Sequence, residues 1–202
     1  MILKIFSTSL FCAATLLLSG GPVMASCQDA PGPGVDWSGC QKKQLMLTGE
    51  NFSGGTFNQG YFTSTDFSRS NLSGSHFVGA DLSRANMSKS NLSKASFEKV
   101  QASRIWFEQS NLTGAVFRKS ELTRANFKGA NLDGAAFPGS ELNRADFEGA
   151  RLTNVDFSKA ELARANLAGQ SIKSVDFSYA NVSRTDFRNA VLNDVKLSGA
   201  YL

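Results

Sequence analysis

From Leu47 to Leu202 every fifth residue is apolar: 32 positions in unbroken register, filled by 14 Phe, 14 Leu, Met87, Ile172, Val182 and the one small member, Ala102. Neither standard element carries that spacing. On an α-helix five residues advance about 140° past a full turn, so the apolar set would wander round the circumference. On a flat strand five residues reverse the side-chain direction, and alternate units would face opposite sides. The row stays inside only if the chain turns a corner in every unit. Repeated corners of this kind build a solenoid whose coils bury their faces against one another.

The number of sides follows from two further spacings. Between Phe97 and Phe157 phenylalanine recurs every ten residues, which excludes a coil of fifteen. Arg84, Arg104, Arg124, Arg144, Arg164 and Arg184 recur every 20 residues. Four sides of five residues satisfy both, giving about eight coils and a rod roughly 38 Å long at the spacing of stacked strands. Small residues such as Ala80, Ala85, Ala95, Ala125, Ala130 and Ser140 stand two before the central one, as a crowded inner corner requires. Asn, Asp or Glu commonly precedes the centre, and Ser or Thr follows it. These side chains bond local backbone at turns.

The units Ala80-Asp81-Leu82, Ala85-Asn86-Met87, Ala125-Asn126-Phe127, Ala130-Asn131-Leu132 and Ala145-Asp146-Phe147 resemble the A-[DN]-[LF]-x-x motif of the pentapeptide repeat family. The resemblance covers about three quarters of the chain. It implies an all-β fold, a right-handed quadrilateral parallel β-helix, in agreement with the four sides. About activity it implies little, since fold does not give function.

The N-terminus reads differently. Lys4 is followed by a mostly apolar run, Ile5 to Leu18, and by small residues up to Ala25, the pattern of a secretory signal peptide over residues 1–25 cleaved after Ala25. An uncleaved anchor and lipidation of Cys27 are the alternatives. Cleavage removes Cys12 and leaves a charge of +3, from 20 basic and 17 acidic residues. The expected compartment is periplasmic or secreted. There, Cys27 and Cys40 are expected to form a disulfide that ties residues 26–44 into a cap, with the repeat helix over 45–202.

Surface candidates follow from the register. The six arginines at 20-residue spacing could bind carboxylates or phosphates of an envelope polymer. Asp81, Glu121, Glu141 and Glu161 stand three residues before arginines, and Asp146 and Asp186 two residues after. Self-pairing along the wall is the simpler expectation. Asn51, Asn71, Asn91, Asn111 and Asn131 form a second row, read as a structural amide column. Around Ala102 the pattern breaks: Val100 and Ile105 are larger than usual, which compensates for the lost bulk. Trp106 falls outward, and beside Arg104 it could stack on a sugar ring or a partner side chain.

Catalysis finds no support in the sequence. The only histidine, His76, takes an outward position, no hydrolase or phosphate-loop motif occurs, and no metal or cofactor is expected. The reading is an exported, non-enzymatic interaction module for a protein or an anionic envelope polymer, with no nucleic acid expected. The family resemblance supplies an alternative, DNA mimicry against topoisomerases as in quinolone resistance. A mildly basic charge and an export signal oppose it. Because Leu202 is still in register, the last coil, with Val182, Phe187, Leu192, Leu197, Tyr201 and Leu202, is expected to pair two copies end to end.

Overall fold

The computed structural model describes residues 26–202. The signal peptide expected over 1–25, with its cleavage after Ala25, lies outside the described residues. The rest is a right-handed, four-sided parallel β-helix. Interior residues define the walls in chain order. Phe52 and Leu72 begin the first, Phe57 and Phe77 the second, Phe62 and Leu82 the third, and Phe67 and Met87 the fourth.

One unit shows why each five residues turn. Leu82 points inward, Ser83 and Arg84 form a turn, and the Ala85 amide closes it on the Leu82 carbonyl at 2.9 Å. Arg84 has φ of 59°, the left-handed value that a type II turn requires at its third residue. Other amides bond along the axis: Asn86 to the Thr65 carbonyl below at 2.9 Å, and Met87 to the Trp106 carbonyl above at 2.7 Å. Backbone polarity is therefore satisfied although most walls are single bridges rather than long strands. Among the described residues only the first wall carries strands of two or more residues, β1 (Leu152–Thr153), β2 (Ser171–Lys173) and β3 (Val191–Asn193), parallel with Leu152 beside Ile172 and Ile172 beside Leu192.

The core is a set of side-chain columns. On the second wall Phe57, Phe77, Phe97, Phe117, Phe137, Phe157 and Phe177 stack face to face, with neighbouring centroids 4.6–5.3 Å apart. Edge contacts such as Phe107 to Phe117, at 5.7 Å, join the fourth wall to the second across the interior. Buried serines sit at the inner corners and keep their hydroxyls bonded to carbonyls, for example Ser90 Oγ to Phe67 O at 2.8 Å and Ser110 Oγ to Phe107 O at 2.7 Å. Ala102, Val100 and Ile105 are all buried, as the compensation reading requires.

At the N-terminal end a disulfide joins Cys27 to Cys40. The coil register runs further back than the apolar row: Asp36 pairs with Thr56 and Gln41 with Tyr61. Much of the segment taken as a separate cap is thus already solenoid. Trp37 heads the second-wall column, buried against Phe52 and Phe57 at 5.5 and 6.0 Å. Lys42 hides the continuation in the sequence, because a charged residue stands at an inward register position. On this end coil its stem can lie across the core while the ammonium sits 4.1 Å from the Trp37 ring centroid.

The C-terminal end differs in one respect from the expected end face. Val182 is buried, and its amide donates to the Tyr201 carbonyl at 2.8 Å, so the last coil covers it. Phe187 is half-buried, whereas Leu192, Leu197, Tyr201 and Leu202 are exposed and Val191 joins them.

Candidate functional site

The corner between the third and fourth walls carries Arg84, Arg104, Arg124, Arg144, Arg164 and Arg184 on six successive coils, every side chain exposed. Each takes φ between 58° and 62°. A non-glycine residue there costs roughly 1–2 kcal/mol, which glycine avoids. Among the described residues the 13 glycines with positive φ all stand at the other three corners. Steric economy therefore does not account for the arginine column.

Self-pairing does not account for it either. Among the described residues none of the six arginines makes an ion pair or a side-chain hydrogen bond. The acids nearest in sequence stand on the walls to either side of this corner. Most of those acids are engaged elsewhere. Asp81 accepts from Thr63 Oγ1 at 2.8 Å and from the Ser83 amide at 3.0 Å. Asp146 accepts from Asn166 at 2.9 Å and lies 3.3 Å from Lys128 Nζ. Glu161 accepts from Asn181 at 2.8 Å, and Asp186 pairs with Arg188 at 2.6 Å. Glu121, Glu141 and Glu161 stack on the third wall and bound the cationic corner on that side.

Two shallow grooves run along this corner. Ser103, Arg104, Thr123, Arg124, Asn143 and Arg144 line one, of about 410 Å³. Asn143, Arg144, Ala163, Arg164, Ser183 and Arg184 line the next, of about 480 Å³, so Asn143 and Arg144 join the two. Asn143 Oδ1 is the one buried side-chain polar atom without a partner among the described residues. A buried acceptor left unpaired costs about 1–3 kcal/mol.

The fourth wall carries Trp106, half-exposed, with its backbone paired to Asn86 and Asn126. Trp106 lines a groove of about 460 Å³ with Arg69, Arg84 and Lys89, while Arg104 belongs to the corner groove one coil further on. Arg69 and Lys89 stand at the corner on the far side of this wall, and sequence reasoning passed over them. Drawing the chain on a four-sided net would have found both, since a coil of 20 residues places them beside the wall of residue 106.

The asparagine row is structural, as its spacing suggests. Asn71, Asn91 and Asn111 each donate from Nδ2 to Oδ1 of the residue one coil below at 3.2 Å. The same oxygens accept amides two residues on, such as Ser93 N to Asn91 Oδ1 at 3.3 Å. His76 is exposed on the second wall. Among the described residues no group of three or more His, Cys, Asp or Glu is placed to hold a metal.

Comparison with known proteins follows the same lines. A family model described as a pentapeptide repeat region matches residues 50–137, and a model of eight pentapeptide repeat copies matches 140–169 and 172–202. No curated protein matches the chain. Among solved structures it is similar to HetL, a pentapeptide repeat protein involved in heterocyst differentiation regulation in the cyanobacterium Nostoc sp. strain PCC 7120. The identity is 22% over 83% of this chain and 89% of that one, with a TM-score of 0.44. QnrB1, a plasmid-mediated fluoroquinolone resistance protein, matches at 23% identity over 76% of this chain and 90% of its own, with a TM-score of 0.40. A protein of the Arabidopsis thaliana thylakoid lumen matches at 27% over 72% and 77%, with a TM-score of 0.18.

Proposed function

The chain belongs to the pentapeptide repeat family, and on that premise we propose that it is an exported, non-enzymatic rod that holds an anionic envelope polymer along its arginine corner. One observation carries this reading: six guanidinium groups on consecutive coils, all exposed and none paired. A guanidinium fork matches carboxylate or phosphate oxygens, and a row of forks at the spacing of stacked coils, about 4.8 Å, meets a chain with repeated anionic groups. Export is supported by the leader-like residues 1–25 and by the Cys27–Cys40 bridge, which an oxidising compartment sustains. Mimicry of DNA is disfavoured, because a duplex presents rows of negative charge and this corner presents positive charge.

Two measurements test the reading. Cell fractionation with N-terminal sequencing should find a mature form beginning at Ser26 outside the cytoplasm; a cytosolic chain retaining Met1 would defeat export. Retention on an immobilised polyuronate should fall at least tenfold when Arg104, Arg124 and Arg144 are changed together to Ala, and should weaken with salt. Equal retention of the triple variant would sink polymer binding at the corner.

A further inference from the structure

We infer that the fourth-wall groove is a distinct seat for an acidic saccharide, with one pyranose ring lying on the indole of Trp106 and its carboxylates met by Arg69, Arg84 and Lys89. This deepens the polymer-binding reading and rests on it. The groove joins two features that are separate elsewhere on the rod.

The first feature is the indole itself. Trp106 is 50% exposed, although each other residue of its column on the described coils from Asp66 upward is Asp or Asn. The column therefore has no structural need of an aromatic side chain, and the bulk missing at Ala102 is supplied inside by Val100 and Ile105. The apolar C–H face of a sugar packs on such a ring, while the indole N–H remains free to donate.

The second feature is charge from both flanking corners. Arg84 stands on one edge of the wall and Arg69 and Lys89 on the other, all exposed, and among the described residues none of the three is ion-paired. Only Glu108 opposes them within the groove. A neutral sugar would use the indole alone and leave three cations unmatched. A small inorganic anion would use the cations and leave the indole bare. An acidic saccharide is the chemistry that uses both, and about 460 Å³ is the size of a usual ligand site.

The test reads Trp106 by fluorescence, with buried Trp37 as an internal reference. Titration with a trigalacturonate should shift and saturate the exposed component, whereas maltotriose and inorganic phosphate at equal concentration should leave it unchanged. Trp106→Ala should lower trigalacturonate affinity at least tenfold by calorimetry, Arg69→Ala with Lys89→Ala by a similar factor, and Trp106→Phe by about threefold. Arg124→Ala with Arg144→Ala should reduce polymer retention and leave trigalacturonate binding intact, which separates this groove from the corner. Unchanged affinity in Trp106→Ala would overturn the assignment, as would an equal fluorescence response to inorganic phosphate.

Discussion

Lys128 and Glu148 are separated by 20 residues, yet the lysine Nζ donates to the glutamate Oε2 at 2.7 Å. Pairing across one coil recurs on this surface, as between Arg118 and Glu98 and between Lys196 and Asp176. Glu121 and Arg124 make no ion pair, although on a helix their spacing would favour one.

That freedom can be separated from folding. Arg124→Gly and Arg144→Gly replace left-handed arginines by the residue suited to φ of 61° and 60°. Chemical denaturation should show each variant as stable as the parent or more stable, by about 0.5 kcal/mol once glycine's greater chain entropy is set against the relieved strain. Retention on the polyuronate should fall in the same proteins. A loss of stability in both would return the column to a structural role.

The inner corners set the opposite limit. A Cβ at Gly60 would overlap Cε2 of Phe62. Gly60→Ala should cost about 1–3 kcal/mol through overpacking, whereas Ala80→Gly, one coil above and facing Leu82, should cost less. Urea midpoints of the two variants compare them directly.

The bridge between Cys27 and Cys40 closes a loop of sequence separation 13. Changing Cys27 to Ser and Cys40 to Ala should lower stability by about 2–3 kcal/mol. Because Trp37 sits beneath this loop and donates its indole N–H to the Asp29 carbonyl at 3.2 Å, its emission should redden before the remaining coils unfold. Simultaneous loss of every signal would contradict an end that frays by itself.

Asp186 carries the clearest pH signature. Hydrogen bonds from the Arg188 side chain and then its amide hold the carboxyl down to about 2. A depressed carboxyl contributes stability that is fully present above its ordinary value near 4 and is lost as pH falls through about 2. Carbon-detected NMR titration should place Asp186 well below the usual carboxylate range, and Arg188→Gln should return it towards that range. An unchanged midpoint in the variant would refute the pairing.

End-to-end pairing is proposed for the last coil, whose Val191, Leu192, Leu197, Tyr201 and Leu202 are exposed. Exposed strand edges and apolar side chains invite a second copy. Sedimentation should show a concentration-dependent dimer, abolished by Leu197→Glu with Leu202→Glu. A strict monomer at high micromolar concentration would defeat it.

Much of this molecule is legible from spacing. The row of apolar residues determined the interior, the 20-residue return of arginine determined four sides, and small residues two places before each centre marked the corners. Such periodicity is readable because every coil solves the same packing problem with the same few residues. It fails where a coil has solvent on one side, as at Lys42, which concealed the first coil.

The surface was legible in part. Its arginines and Trp106 could be named from the sequence as outward-facing, but their partners could not. Proximity along the chain suggested Glu121 for Arg124. The tertiary structure leaves that pair unmade and joins charges one coil apart instead, as at Lys128 and Glu148, because axial stacking brings residues distant in sequence together. The amino-acid order alone thus settled what lies inside the rod, where one repeated rule governs. Which charges meet outside depends on side-chain reach between coils, and only the folded geometry sets that.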